Sequence, residues 1–405
     1  MTADMVPVEA HLADILAAVR PLAPVRLELE EAECGTLAED ATARCPLPSF
    51  DNSGMDGYAV YAADVAAAAP GSPVTLPVAE QIPAGDIRAL TLAPGTSARI
   101  MTGALLPAGS DAVVPVEWTD GGTGQVVISK PAPDGHAIRR RGGDVAEGEV
   151  MLAAGTVLGP AQIALLAAGG HGSALVRPRP RVAVIATGNE LTDPGTPLAP
   201  GRIWDSNSYM LAAAVRQAGG LAYRHRVTDD PVAVMAALDE LSAAADLLVT
   251  SGGVSMGGEH DVVKAALTSG GDVTFRKVAM QPGMPQGFGV TGHARTPVFT
   301  LPGNPVSTFV SFQLFVRPAM QALQGLAPAP LPVTRAVLTD SLRSPQGRRS
   351  FMRGVLDPTL GTVTPLTGQG SHQLGALARA NALIVVPERV VWIEEGKPAD
   401  VMSLP

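Results

Sequence analysis

The chain has 405 residues and a formal net charge of -9, with 46% hydrophobic but only 4% aromatic residues. An acidic balance of this size excludes nucleic acid as the expected partner, because phosphate-backbone binding needs a concentrated surplus of Lys and Arg. The length predicts roughly two to four domains, each of about 100–200 residues. The 44 glycines and 36 prolines predict short elements separated by many turns.

Residues 5–20 place Met5, Val8, Leu12, Ile15, Leu16 and Val19 at helical spacing, and Pro21 and Pro24 end the pattern. Asp4, Glu9 and Asp14 within it argue against a signal peptide, and no run of about 18 apolar residues occurs, so a cytoplasmic protein is expected. Cys34 and Cys45 lack metal-site spacing and read as reduced thiols. From about residue 46 to 141 the pattern changes to short strand-like runs, such as Val74–Val78, Asp111–Val116 and Gln125–Ile128, which predict an inserted β domain. Residues 142–178 turn helical at Ala161–Ala168 and close on Gly169-Gly170. With residues 1–45 they are expected to form an elongated N-terminal domain.

Strands and helices alternate from Arg181 onwards. Val182–Ala186 and Asp246–Thr250 read as buried strands, while helices are expected at Met210–Gln217, near Val262–Leu267, and from Pro231 to about Ala245 with Asp230 as its N-cap. A strand at Val298–Leu301 feeds an apolar helix from Pro305. This predicts a central α/β domain with a mostly parallel sheet over 179–326. Leu326-Ala-Pro-Ala-Pro-Leu-Pro332 is a proline-stiffened linker, and 333–405 fits a small β-barrel-like C-terminal domain.

Two glycine turns stand at strand ends: Ser251-Gly-Gly-Val-Ser255 and Leu301-Pro-Gly-Asn-Pro-Val-Ser307. In an open parallel sheet, ligands bind beyond the carboxyl ends of the strands, where glycine lets backbone N–H groups approach phosphate. Either turn alone fits a mere chain reversal. Two in one domain favour an anion cradle built from Ser251, Gly252, Gly253, Ser255, Pro302, Gly303, Asn304 and Pro305.

Leu301–Ser307 and Thr187-Gly-Asn-Glu-Leu191 resemble signatures of the molybdopterin molybdenumtransferases, the molybdenum-insertion enzymes of molybdenum-cofactor biosynthesis, a family similar to the gephyrin E domain. Pro48-Ser-Phe-Asp-Asn-Ser-Gly-Met-Asp-Gly-Tyr-Ala59, Arg99-Ile-Met-Thr-Gly-Ala104, Ile138-Arg-Arg-Arg-Gly-Gly-Asp144, Asp205-Ser-Asn207 and Gly347-Arg-Arg-Ser-Phe-Met-Arg353 continue the resemblance in collinear order. It implies an α/β multidomain transferase that inserts molybdenum from molybdate into adenylylated molybdopterin, releasing AMP, with Mg²⁺ as the cation. It further implies a homodimer, supplied upstream by a molybdopterin adenylyltransferase, with no nucleic-acid or membrane partner.

The same resemblance marks Asp56, Thr102, Asp144, Glu190 and Asp261 as catalytic positions, and Glu190, Asp230 and Asp261 as metal ligands. Lys277, Arg348, Arg353 and Ser371 are implied near the oxyanion, where guanidinium forks and a mobile ammonium suit tetrahedral anions. Local readings compete: Asp56 before Gly57 also fits a turn, Asp229 or Asp230 a helix cap, and Arg139–Arg141 a solvated face. Gln281-Pro-Gly-Met-Pro285 departs from the family's Lys-Pro-Gly-Lys-Pro, and Asn189 stands where Asp is common. Ser255–Asp261 is one residue longer than the family's loop, which leaves Glu259 as an alternative to Asp261. The seven histidines show no zinc spacing. A non-catalytic molybdopterin carrier is the alternative reading, motivated by Gln281 and Met284, and a nucleotide pyrophosphatase is a third.

Overall fold

Val182–Ala186 and Leu247–Ser251 are apolar without alternation, so each can be stable only as a strand covered on both faces. A computed structural model, which describes residues 5–252, 263–264, 266–267 and 272–405, places them at the centre of a six-stranded sheet. Its order is Leu221–Val227, Arg181–Thr187, Leu247–Ser251, Thr296–Leu301, Pro285–Thr291 and Asp272–Lys277. The first four strands run parallel and the last two pair antiparallel. The chain leaves Arg181–Thr187 towards one side of the sheet and crosses back to Leu247–Ser251 on the other. The crevice beyond these two strands is therefore the topological switch point, where such sheets bind ligands.

Helix Asn207–Gln217 packs on this sheet, as does helix Pro231–Ala244, which starts where the sequence predicts: the Asp230 carboxylate accepts the Ala233 N–H at 3.0 Å. Val263, Ala266 and Leu267 are buried with that second helix against Ile185, Leu248 and Val298. The segment after Pro305 is helical to Leu323, interrupted by a π-helical stretch at Phe312–Val316.

The C-terminal strands Arg349–Asp357, Thr362–Pro365, Val333–Leu338, Pro398–Ser403 and Ala382–Val386 pair in that order, and the last pairs back onto the first. The result is a closed five-stranded barrel around Leu338, Val363, Ile384 and Val401, with no unpaired edge among these strands.

Contacts divide the chain into two units, one of Met1–Val25, Cys34–Thr36 and Arg177–Pro405, and one of Arg26–Glu33 and Leu37–Val176. The second unit contains a five-stranded sheet with the order Ala112–Pro115, Gly57–Val60, Ser97–Ile100, Val74–Ile82 and Gln125–Ile128. Tyr58, Val60, Val114, Val126 and Ile128 form its core, and helix Pro160–Ala168 lies in the same unit.

The opening helix, Val8–Ala18, differs from the sequence expectation that groups it with residues 142–178. It belongs to the first unit, because Val8, Ile15 and Val19 bury into one apolar cluster with Phe312, Phe315 and Met320. His11 is drawn in with them. It is 3% exposed, its ring stands edge-on to Phe315 at 4.8 Å, and its Nδ1 has no partner. Burial pushes the His11 imidazole down to about 4, helped by Arg276 and opposed by Asp14.

A base whose folded pKa is depressed costs stability when the unfolded chain takes up the proton. The first unit is therefore expected to weaken as pH falls from about 6.5 towards about 4, losing on the order of 3 kcal/mol in that window. Chemical denaturation across this range measures the slope. His11→Leu should flatten it, and an unchanged slope in that variant would exclude His11 as its source.

Candidate active site

Two glycine turns and one asparagine build the crevice at the switch point. Ser251-Gly252, at the end of one strand, and the turn after Thr296–Leu301 lie side by side, since those strands are paired and Gly252 N–H donates to Leu301 O at 3.0 Å. Asn207, the first residue of its helix, donates through Nδ2 to Ser251 Oγ at 2.8 Å and to Gly303 O at 2.6 Å. One amide therefore ties the end of the first strand to the turn after the second, each bond worth about 0.5–1.5 kcal/mol net. Gly252 has φ +100, a conformation that disfavours any side chain, and a Cβ on Gly303 would lie 3.6 Å from Gly252 Cα. Gly252 and Gly303 present backbone without side chains to the crevice.

Glu190 comes from the loop after Arg181–Thr187. The loop is held by a short parallel ladder, Leu191–Thr192 with Ile203–Trp204, and by Ile203 N–H donating to Glu190 O at 2.9 Å. A Cβ on Gly188, at φ +145, would fall 2.5 Å from the Glu190 carboxylate, so glycine here makes room for that acid. Asn189 accepts the Asp229 N–H at 3.3 Å and joins this loop to the one carrying Asp229 and Asp230. Thr187, Glu190, Trp204, Asp205, Asn207, Ser251, Gly252, Gly303 and Pro305 line one cavity of about 120 Å³. Asp205 is buried and spent on the N–H and hydroxyl of Ser208.

The oxygen types here suit a hard divalent cation: the exposed Glu190 carboxylate and the unpartnered amide oxygen of Asn207. Among the described residues no cluster of three His, Cys, Asp or Glu side chains forms a protein cage. That fits Mg²⁺, which keeps several waters and takes one or two carboxylates together with substrate phosphates. Asp230 has one oxygen committed to its helix cap. Gly253, Ser255, Glu259 and Asp261 lie outside the described residues.

The helix from Pro305 meets the barrel at its first turn. Val306 N–H donates to Ser371 O at 3.0 Å, so one donor of that positive end serves the loop of residues 366–373. Thr308 binds the carbonyls of Pro302 and Asn304 and fixes the turn from below.

Arg353 holds the same barrel loop. It is 1% exposed and donates to the carbonyls of Gly368 and Gly370. Its Nε has no partner, and burial lowers its pKa. Its guanidinium is thus spent on loop carbonyls, a placement that sequence could not reveal. Lys277 and Arg348 have side chains without a hydrogen-bond or ion-pair partner among the described residues. They flank a two-residue parallel contact, Met280–Gln281 with Arg349–Ser350, which also brings in Gln281.

In the second unit the three matched loops meet. Asp56 accepts both the N–H and the hydroxyl of Thr102, at 2.7 and 2.8 Å. These bonds, with Arg99 nearby, hold the Asp56 carboxyl below the usual carboxylate range despite some desolvation. Strand Ile138–Arg139 pairs with Asn52–Ser53, and Arg140 binds Asp51 at 2.8 Å while Arg141 N–H binds it at 2.7 Å. The arginine run is thus engaged with the 48–56 loop. Asp144 is exposed beside it, its N–H on Leu47 O. The sequence reading had not singled out Asp51, nor Asn207 as more than part of a motif.

Residues 6–170 match the MoeA N-terminal region (domains I and II), residues 183–322 a probable molybdopterin binding domain, and residues 335–404 the MoeA C-terminal region (domain IV). The chain is 49% identical to molybdopterin molybdenumtransferase 2 of Mycobacterium tuberculosis, over 98% of this chain and 99% of the relative. It is 37% identical to the Bacillus subtilis molybdopterin molybdenumtransferase, over 93% and 89% of the two chains. A crystal structure of the molybdopterin biosynthesis MoeA protein from Pyrococcus horikosii superposes with a TM-score of 0.78 at 32% identity, covering 98% of this chain and 99% of that one. With all its regions matched in order, the chain belongs to the MoeA family of molybdopterin molybdenumtransferases.

Proposed function

We propose that this enzyme inserts molybdenum from molybdate into adenylylated molybdopterin, releasing AMP and molybdenum cofactor. The relatives, named as molybdopterin molybdenumtransferases, support molybdenum transfer to molybdopterin, and the observation that carries the reading to residues is the Asn207 tie between Ser251 and Gly303 in the crevice lined by Glu190. Gly252 and Gly303 give a pyrophosphate-linked substrate a floor without side chains, so phosphate oxygens can approach backbone.

Glu190 would hold the Mg²⁺, and the Asn207 amide oxygen, in the same crevice lining, offers a second oxygen of the kind it takes. When bound, the ion neutralises charge on the phosphate oxygens as the linkage breaks. Lys277 and Arg348, without partners among the described residues, supply positive charge for molybdate, while Gln281 and Met284 leave that region with fewer cations than the family's lysine pattern. Arg353 and Ser371 position the barrel loop at the Pro305 helix. In the second unit, Thr102 orients Asp56, and Asp144 adds a further carboxylate. Positioning and electrostatics suffice for this reaction, with no covalent protein intermediate. A homodimer, and an adenylyltransferase that makes the substrate upstream, belong to the same reading.

Purified protein given adenylylated molybdopterin, molybdate and Mg²⁺ should release AMP and form cofactor, sedimenting at twice its 41.4 kDa chain mass. Glu190→Gln should lower kcat by about 100-fold or more, as for loss of a preorganised charge at a reacting centre. Confirmed substrate binding without AMP release by the unaltered enzyme would overturn the proposal, and full turnover by a monomer would overturn the dimer.

A further inference from the structure

The crevice carries one feature that phosphate or metal binding does not use. Trp204 lines it and is 50% exposed, next to Ile203 at 54%. Large apolar side chains left open beside a polar cleft mark a contact surface. The other two tryptophans have cations over their rings, Lys130 at 5.5 Å from Trp118 and Arg343 at 5.3 Å from Trp392, and Tyr209 near the crevice has Arg224 at 3.5 Å. The Trp204 ring has no aromatic or cationic partner among the described residues. Its indole N–H donates to Thr196 O at 3.1 Å, which holds the ring by its edge while half of the residue stays exposed.

The backbone fixes this ring relative to the site. Thr192 and Trp204 are register partners on the ladder that carries Glu190, and Asp205 N–H donates to Thr192 O at 2.9 Å just before Asn207 begins its helix. Ring and carboxylate thus sit on two segments bonded to each other, with the tying amide three residues after the ring.

The geometry points to Trp204 as the stacking platform for the planar nitrogen heterocycle of the substrate, the ring lying on the indole while the phosphates reach the glycine turns. Both rings of an adenylylated pterin, the adenine and the pterin, have the required π-face, and stacking on an aromatic side chain tolerates either. This inference rests on the proposed function and deepens it by assigning a ring subsite.

The test is equilibrium binding, by calorimetry and by quenching of tryptophan fluorescence, of AMP, ribose 5-phosphate and a pterin lacking phosphate. Trp204→Ala should weaken AMP or the pterin by about tenfold or more, whichever ring occupies the site, while Trp204→Phe stays within about threefold of wild type. Ribose 5-phosphate, which has no ring to stack, should bind all three proteins alike. If both rings bind Trp204→Ala as tightly as wild type, or if ribose 5-phosphate weakens in parallel with AMP, the platform is refuted. A chain that stacks AMP on Trp204 yet forms no cofactor keeps this inference and sinks the transfer reading. Normal turnover with ring binding indifferent to Trp204 does the reverse.

Discussion

The crevice depends on a single side-chain amide. Asn207 reaches from the first position of its helix to Ser251 Oγ at the end of one strand and to Gly303 O on the turn after its neighbour. Those strands are parallel partners, so the sheet sets the spacing of their ends and the amide ties them together. Both Asn207 amide hydrogens are engaged while its oxygen has no partner. A buried carbonyl oxygen without a protein partner is costly, and a donor or a hydrated cation would satisfy it.

Around that tie, the structure spends its other polar groups on holding loops. Arg353 is buried and grips the carbonyls of Gly368 and Gly370, and Ser371 in the same loop accepts from Val306 at the start of the Pro305 helix. A barrel loop and a turn of the α/β domain are thereby locked together within one unit. In the other unit, Thr102 holds Asp56 and the arginine run holds Asp51. Arg353 and Asp56, which the sequence marks as site residues, thus also shape the loops beside them.

The legible parts of the fold were those whose signals are local. Val182–Ala186 is apolar on both faces, and Asp230-Pro231 carries its own helix start, so both elements stand where sequence places them. Leu221–Val227 escaped notice because it is an edge strand whose centre, Tyr223-Arg-His-Arg226, faces solvent. Pro285–Thr291 escaped because Gly287 and Gly289 weaken any strand pattern. A Cβ there would come within 1.9 Å of Thr300 Oγ1 or Asp272 O, so the glycines answer to tertiary neighbours. The opening helix was visible as a helix, but its partners Phe312, Phe315 and Met320 lie some 300 residues away. The site divides in the same manner. The glycine turns and Glu190 carry local signatures, whereas the reach of Asn207, the burial of Arg353 and the bare ring of Trp204 exist only after folding.

The most direct measurement is AMP release by Asn207→Ala, with thermal unfolding followed alongside. The account predicts a kcat/KM lowered by about 10–100-fold, equivalent to losing roughly 1.4–2.7 kcal/mol of transition-state stabilisation, in a protein that still folds but is less stable by about 1–3 kcal/mol. Wild-type kcat/KM in a folded Asn207→Ala enzyme would contradict it, because the two turns would then hold the substrate without the amide that joins them.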